Sequence, residues 1–332
     1  MAQATLAQEA QYLGCEASMS SPASSTCPGA TAGALDGAVS VELRPGRRVH
    51  LLHHFAPGGS PAARVLLCHG SMASMSQYRA IIERLMCRKD LDILAYDWLG
   101  CGASSKPRDW EAYSTPNLLS DLEAAYRLLL GQDSPSCTAP AVLVGHSFGT
   151  SLVMQLAADL AAASPAKAAG ALPPPTALCL MSPSDGASAA GKTGLFYLPE
   201  TCLRLLQPVL TASFTRMAFH PETSDDVKAE GNTISAANEM HVCKAFYRQM
   251  SWCQPQVTAM AGPALILHGE EDGVVEVDEG RRVADGFEGQ VAFRTLARAS
   301  HQLMMEQPAE TGALLEALID NVAAGRDALS GL

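Results

Sequence analysis

Short apolar runs alternate with helix-period patterns along most of this chain. The apolar runs are rich in Val, Leu and Ile, as in strands that are buried on both faces. We predict strands over Val39–Leu43, Arg47–His54, Arg64–Cys68, Leu91–Tyr96, Val142–Gly145, Thr176–Met181, Ala264–His268 and Val291–Leu296. We predict helices over Ser76–Cys87, Asn117–Leu130, from Phe148 onward, Val277–Phe287 and Pro308–Ala323. This alternation predicts an α/β fold, with a mostly parallel sheet covered by helices on both faces.

The alternation stops once, between about Ser184 and Pro255. Residues 194–219 have Leu, Phe, Tyr, Val and Met in excess and are interrupted by two prolines. A polar patch follows from His220 to Asn232, and residues 235–252 again have a helical pattern. We therefore predict a helical cap, or lid, at residues 184–258. It divides an α/β core into residues 38–183 and 259–327. Residues 1–37 are rich in Ala, Ser and Gly without a period, which predicts a flexible N-terminal segment.

Composition narrows the classes of function. The chain has 332 residues, 48% of them hydrophobic, and a formal net charge of −11. Nucleic-acid binding needs a concentrated basic surface, so we do not expect a nucleic-acid partner. The apolar stretch from Ser134 to Ala158 contains prolines, glycines and a histidine and splits into a strand and a helix. We therefore expect no transmembrane span.

Cysteine and histidine usage bears on metal binding and on the cellular compartment. The ten cysteines are scattered singly without a Cys-x-x-Cys pair, so we expect no zinc site. The histidines His50, His53 and His54 alternate between the two faces of one strand, which disfavours a shared metal. Scattered thiols, without an N-glycosylation sequon or a signal peptide, predict a reducing, cytoplasmic location.

The strongest chemical signal is the pentapeptide Gly-His-Ser-Phe-Gly at Gly145–Gly149. It lies between an apolar strand pattern and an Ala/Leu-rich helical pattern, the context in which a serine nucleophile occupies a strained turn. The glycines Gly145 and Gly149 leave room for strand and helix to approach each other. The helix that starts at Phe148 points its positive dipole end at a developing oxyanion. We predict that Ser147 is a nucleophile.

The loop after the third strand carries His69, Gly70 and Ser71. Because Gly70 lets the chain turn directly after a buried strand, the next amide can face Ser147. We predict an oxyanion hole made by the backbone amides of Ser71 and Phe148. We expect His69 to pack against this loop and order it rather than to take part in catalysis.

Two later strand-end loops supply the partners that a serine nucleophile needs. His301 lies after the last strand, and we predict that it is the general base. The preferred carboxylate partner is Asp272. Alternative carboxylates are Glu270, Glu271, Asp278 and Asp185. The chain order Ser, Asp, His is the one used on α/β-hydrolase sheets.

Taken together, these motifs resemble the α/β-hydrolase superfamily from Val39 to Ile319. The matching pieces are His69-Gly70, Asp97-x-x-Gly100-x-Gly102-x-Ser104, Gly145–Gly149, His268-Gly269-x-x-Asp272 and Ser300-His301-x-x-Met304-x-Glu306-x-Pro308. The abhydrolase-domain serine hydrolases and monoacylglycerol-lipase-like esterases are the most similar groups. The resemblance implies an eight-stranded sheet, a cap after the sixth strand, a triad of Ser147, Asp272 and His301, and no cofactor or metal.

The resemblance also implies an acyl-enzyme mechanism on carboxylic esters. The apolar cap segment between Arg204 and Arg216 favours acyl lipids, as for a glycerolipid or lysolipid lipase, although a lid that only packs on the core gives the same pattern. Low positive charge favours peripheral contact with a neutral surface such as a lipid droplet. Two alternatives stay open: a lysolipid acyltransferase and a non-catalytic lipid-surface scaffold. Glu306, where some acyltransferase-like relatives carry Asp, weakens the first.

Overall fold

Eight strands form a single sheet in the computed structural model, which describes residues 35–131, 139–163, 172–186, 192–252 and 262–332. The strands are β1 (Val39–Arg44), β2 (Arg47–His54), β3 (Ala63–Cys68), β4 (Leu91–Tyr96), β5 (Ala141–His146), β6 (Ala177–Met181), β7 (Ala264–Gly269) and β8 (Val291–Leu296). The N-terminal segment predicted over residues 1–37 lies almost entirely outside the described residues.

The strand order is β1-β2-β4-β3-β5-β6-β7-β8. β2 pairs antiparallel with β1 and β4, and the other neighbours are parallel. The strands β3 to β7 are buried at every position, which explains their continuous apolar sequences. The predicted fold class, a mostly parallel eight-stranded sheet, is confirmed.

Helices cover both faces of this sheet. The core helices are α1 (Arg79–Met86), α2 (Thr115–Leu130), α3 (Phe148–Ala162), α7 (Val277–Asp285), α8 (Leu303–Glu306) and α9 (Pro308–Ala323). One apolar cluster joins α2 and α3 to one face, and a second joins α1 and α9 to the other. Strands that follow β3 in sequence lie on both of its sides, with β4 on one side and β5 on the other, so the order of strands changes direction between β3 and β5. The carboxyl ends of strands at such a switch point form the usual ligand crevice of α/β sheets.

Between β6 and β7 the structure has the cap helices α4 (Glu200–Ala218), α5 (Asp225–Ala236) and α6 (Met240–Gln249), preceded by a 3₁₀ turn at Lys192–Tyr197. The sequence pattern assigns no separate element to the polar patch from His220 to Asn232, which contains most of α5. The helix α5 buries none of its side chains fully, so it has no apolar period. Its signals are instead Ser224, whose side chain caps the Val227 amide, and two Asp residues in the first turn.

The length and polarity of the helices also bear on membrane insertion. None of the helices in the described ranges is long and apolar enough to cross a bilayer. The cap helix α4 has 19 residues, but it carries charged side chains at both ends and Pro208 within it.

Candidate active site

Ser147 lies on the turn between β5 and α3, with φ 51° and ψ −125°. A non-glycine residue in this left-handed region is strained by roughly 1–3 kcal/mol, and such strain is typical of functional turns. A Cβ atom at Gly149 would lie 2.5 Å from the carbonyl oxygen of His69, and one at Gly145 would lie 2.8 Å from Thr150 Cα. Both glycines are therefore required for the close approach of strand, helix and loop around Ser147.

His301 and Asp272 form a buried hydrogen-bonded pair. His301 Nδ1 donates to Asp272 Oδ2 over 2.8 Å. The second oxygen, Asp272 Oδ1, accepts from the amides of Val274 and Val275, each over 2.9 Å. Burial raises the pKa of the Asp272 carboxyl, but its interactions with His301, with nearby His268 and with the Val275 amide outweigh burial and lower that pKa to about 2. Asp272 is therefore a stable anion beside the histidine.

The four alternative carboxylates have other partners. Glu270 accepts from Thr295 Oγ1 over 3.0 Å, and Glu271 accepts from His220 Nε2 over 2.9 Å. The remaining two contact arginines, in the pairs Asp278–Arg281 and Asp185–Arg282. Among the five acids considered from the sequence, the structure pairs Asp272 with His301.

His146, the residue before Ser147, holds the backbone of His301 in place. Because a carbonyl can only accept, the 2.9 Å contact with the His301 carbonyl oxygen puts a proton on His146 Nε2. Burial lowers the pKa of His146 well below its ordinary value, so the ring is neutral and its Nδ1 accepts from Gln77 Nε2 over 3.1 Å. The ring centroids of His146 and His301 are 4.8 Å apart, which places His301 beside the turn that carries Ser147. Sequence reasoning assigned no function to His146.

No hydrogen bond between Ser147 Oγ and His301 is present in the part of the chain that the structure describes. Catalytic hydrogen bonds are often long in ligand-free enzymes and shorten when substrate binds. The arrangement therefore provides a histidine oriented by a carboxylate and a strained serine on neighbouring loops.

The loop after β3 lies directly on the serine turn. A Cβ atom at Gly70 would lie 3.2 Å from Ser147 Cβ, so the following residue, Ser71, is brought to the same place. Phe148 is the first residue of α3, and the first amides of a helix have no partner within it. These are the two backbone amides expected from the sequence to form an oxyanion hole.

His69 orders this loop through three contacts. Its Nε2 accepts from the Trp98 amide over 2.9 Å, and its Nδ1 donates to the Gly70 carbonyl over 2.7 Å. The ring also stacks on Trp98 with centroids 4.5 Å apart. Burial lowers the pKa of His69 to about 4, so the ring is neutral. These contacts agree with the packing role expected from the sequence.

The glycine-rich loop after β4 contacts the segment that follows the His69 loop. Asp97 is buried, and its two carboxylate oxygens accept from the amides of Met75 and Ala103, each over 2.8 Å. A side chain at Gly102 would overlap the Asp97 carboxylate. This loop therefore has a structural role, and Gly102 is needed for the Asp97 carboxylate to fit.

Part of the cap exposes apolar side chains to solvent. The exposed fraction is 82% for Leu205, 67% for Val209 and 66% for Tyr197. Arg248 on α6 lies over the Tyr197 ring, 3.8 Å from its centroid. Exposed apolar surface of this kind, rimmed by polar groups, marks an interaction site on many proteins.

Comparison with known proteins shows which proteins this chain is similar to. Protein ABHD8 of Bos taurus is 25% identical over 315 residues, which cover 90% of this chain and 67% of that protein. The Homo sapiens ABHD8 is 26% identical over 284 residues, covering 82% of this chain and 59% of its own length. The chain therefore spans only about three-fifths to two-thirds of these curated relatives.

Solved structures agree on the fold. The esterase EaEST from Exiguobacterium antarcticum superposes with a TM-score of 0.66 at 13% identity, covering 85% of this chain and 98% of that one. An esterase from Thermogutta terrifontis gives a TM-score of 0.65 at 19% identity, covering 86% and 99%. Residues 59–308 match the family model described as serine aminopeptidase, S33. The predicted resemblance is thus confirmed, and the chain belongs to the serine aminopeptidase S33 (Hydrolase_4) family of α/β hydrolases.

Proposed function

We propose that this protein is a serine hydrolase that cleaves carboxylic esters through an acyl-enzyme. The observation that carries the proposal is the strained Ser147 at the start of α3, beside a His301 ring that is oriented by a buried, ionised Asp272. These residues come from the loops after β5, β8 and β7, which open at one edge of the sheet. Nucleophile, base and orienting carboxylate are the groups that acyl transfer requires.

The geometry supports a defined order of steps. Asp272 fixes the proton of His301 on Nδ1, so Nε2 is free to take the Ser147 proton. Ser147 Oγ attacks the ester carbonyl carbon, and the amides of Ser71 and Phe148 stabilise the resulting oxyanion. His301 then gives its proton to the leaving alcohol. A water molecule that His301 deprotonates cleaves the acyl-enzyme, which releases the acid and restores Ser147.

Acyl lipids, such as a glycerolipid or a lysolipid, are the proposed substrates. The support is the exposed apolar side chains on α4 and on the turn that precedes it. Such a face adsorbs to a lipid surface and brings the site to its substrate. We propose peripheral contact with a neutral surface, such as a lipid droplet, or with a membrane.

Glu306 favours hydrolysis over acyl transfer to a lysolipid. One of its carboxylate oxygens accepts from the His220 amide over 2.6 Å and from Thr223 Oγ1 over 2.8 Å. The other accepts from the Ser300 amide over 2.8 Å. Both oxygens are thus engaged within the protein, which leaves this carboxylate little capacity to bind an acyl acceptor.

Labelling with a fluorophosphonate probe tests the proposed chemistry. We expect the parent chain to be labelled, and Ser147→Ala and His301→Ala to be unlabelled. Ser105→Ala, an exposed serine on a neighbouring loop, is the matched control and should label like the parent. If the folded parent resists labelling, the non-catalytic scaffold becomes the better hypothesis. A labelled parent is then assayed on monoacylglycerols, lysolipids with and without an acceptor, and aminoacyl arylamides.

The lipid-surface part of the proposal has its own test. Leu205→Asp and Val209→Asp put a charge on the exposed apolar face of α4. We expect lower rates on emulsified lipid and unchanged rates on a short soluble ester. Thr201→Asp, at an exposed polar position of the same helix, adds the same charge as a control. Equal rates for all variants on emulsified lipid would contradict a role for this face.

A further inference from the structure

The end of the cap helix α4 is bonded to the loop that carries the acidic member of the site. The carbonyl of Met217 lies in the last turn, where helix carbonyls have no partner within the helix. It accepts from the Gly273 amide over 3.1 Å. A Cβ atom at Gly273 would lie 2.9 Å from the Met217 carbonyl oxygen, so backbone packs on backbone here. Gly273 directly follows Asp272 in the chain.

The same helix end is bonded to the loop that carries the base. Ser300 Oγ donates to the Met217 carbonyl over 2.8 Å, and the Gln302 amide donates to the Ala218 carbonyl over 3.1 Å. Ser300 and Gln302 are the neighbours of His301 on either side. The cap therefore contacts the backbone on both sides of the base.

Glu306 links the end of α4 and the segment after it (residues 217–223, the cap junction) to the loop that carries His301. Its Oε1 accepts from the amide of His220 and from Thr223 Oγ1, both in the segment between α4 and α5. Its Oε2 accepts from the amide of Ser300. A carboxylate that accepts from three donors forms charge-assisted hydrogen bonds, which are roughly twice as strong as neutral ones. One side chain thus sets the distance between the cap and the residue before His301.

We propose that Glu306 is a positioning residue for His301, and that the cap junction at residues 217–223 is a fixed part of the active site. The inference rests on the proposed function, in which His301 is the general base. Catalytic groups must be held within about 0.5 Å of the productive geometry by the residues around them. Glu306 holds the His301 loop against the cap as His146 holds its carbonyl from the other side.

The test is Glu306→Gln, which keeps the shape of the side chain. A glutamine has one acceptor oxygen, so it can serve either the cap donors or the Ser300 amide, and its NH₂ group then faces an N–H donor on the other side. We expect kcat per probe-titrated active site to fall 10- to 100-fold on a short soluble ester, with KM changed less than twofold. The matched control Glu310→Gln, an exposed carboxylate one helical turn later, should match the parent.

The kcat per titrated site and the proton resonance of His301 together separate a positioning role of Glu306 from a role in folding and from the proposed hydrolase chemistry. The Nδ1 proton of His301, which bonds Asp272, should give a downfield proton resonance that shifts or broadens in Glu306→Gln and not in Glu310→Gln. An unchanged kcat per titrated site together with an unchanged resonance would overturn the proposal. If the parent is never labelled, the proposed hydrolase function fails, and the resonance still tests the positioning. If Glu306→Gln does not fold, Thr223→Val removes one hydrogen bond to Glu306 and should give a smaller change of the same kind.

Discussion

Replacing Asp272 by Asn perturbs the proposed triad with little change of shape. The amide oxygen of Asn can still accept from the Val274 and Val275 amides. Its NH₂ group then faces His301 Nδ1, so that nitrogen must accept and the ring proton moves to Nε2. A protonated Nε2 cannot take the proton of Ser147. We therefore expect the variant to bind substrate and to lose the base.

The expected magnitudes follow from the geometry. Loss of the correct tautomer in a serine triad lowers kcat by about 10⁴-fold, or about 5.5 kcal/mol of transition-state stabilisation. Stability changes less. The folded-state pKa of Asp272 is lowered from 3.8 to about 2, which corresponds to roughly 2–3 kcal/mol of stability at neutral pH. Most domains are stable by about 5–15 kcal/mol, so the variant should fold.

The assay is kcat per folded molecule on a soluble ester, with unfolding by urea measured on the same samples. Glu270→Gln is the control, because this neighbouring carboxylate bonds Thr295 and not His301. If Asp272→Asn keeps more than about a tenth of the parent rate while Glu270→Gln loses activity, the assignment of the acid is wrong. If both variants keep full activity, the orienting carboxylate has no catalytic importance here.

Three further predictions concern stability. Gly149→Ala should lower the free energy of unfolding in urea by about 1–3 kcal/mol, because the new Cβ atom would lie 2.5 Å from the backbone carbonyl oxygen of His69. The control Gly194→Ala should be close to neutral, because no atom lies within 4 Å of the new Cβ. Because the pKa of Asp272 is lower in the folded state, its contribution to stability is present above about pH 4 and is lost as the pH falls through 2. The difference in unfolding free energy between the parent and Asp272→Asn should therefore shrink over this range. A constant difference from pH 5 to pH 2 would argue against this linkage. Asp121→Ala should cost about 3–5 kcal/mol, since it leaves the buried Arg47 without its carboxylate at 2.5 and 2.6 Å; a loss below 1 kcal/mol in urea unfolding would refute this.

The fold and the serine turn could be predicted because their determinants are local. Continuous apolar runs give the buried strands, and the spacing of Gly145, Ser147 and Gly149 determines a turn within five residues. Sequence spacing alone does not distinguish Asp272 from the adjacent acids as the carboxylate partner of His301. The structure explains it through the turn in which Asp272 Oδ1 accepts from Val274 and Val275 and so directs its other oxygen to His301.

The supporting side chains could not be predicted in the same way. His146 contacts the carbonyl of His301 across 155 residues of sequence, and Glu306 contacts the His220 amide across 86. Such contacts depend on the final packing of cap and core and leave no periodic signal in the chain. The bounds of α5 could not be read from the sequence for a related reason: the helix buries no side chain fully, and its local signals are the capping Ser224 and two Asp residues in the first turn.

The cap junction also affects how substrate range can change over evolution or in chimeric enzymes. Before Pro208, Leu203 is the one buried residue of α4, so the other positions of these turns tolerate many substitutions. The residues that follow Arg216 contact the loops that carry Asp272 and His301 and tolerate few. A cap graft from a relative should therefore exchange residues 192–216 and retain the recipient's own sequence from Met217 onward. Grafts that cross this boundary would displace the loops that carry Asp272 and His301 along with the lid.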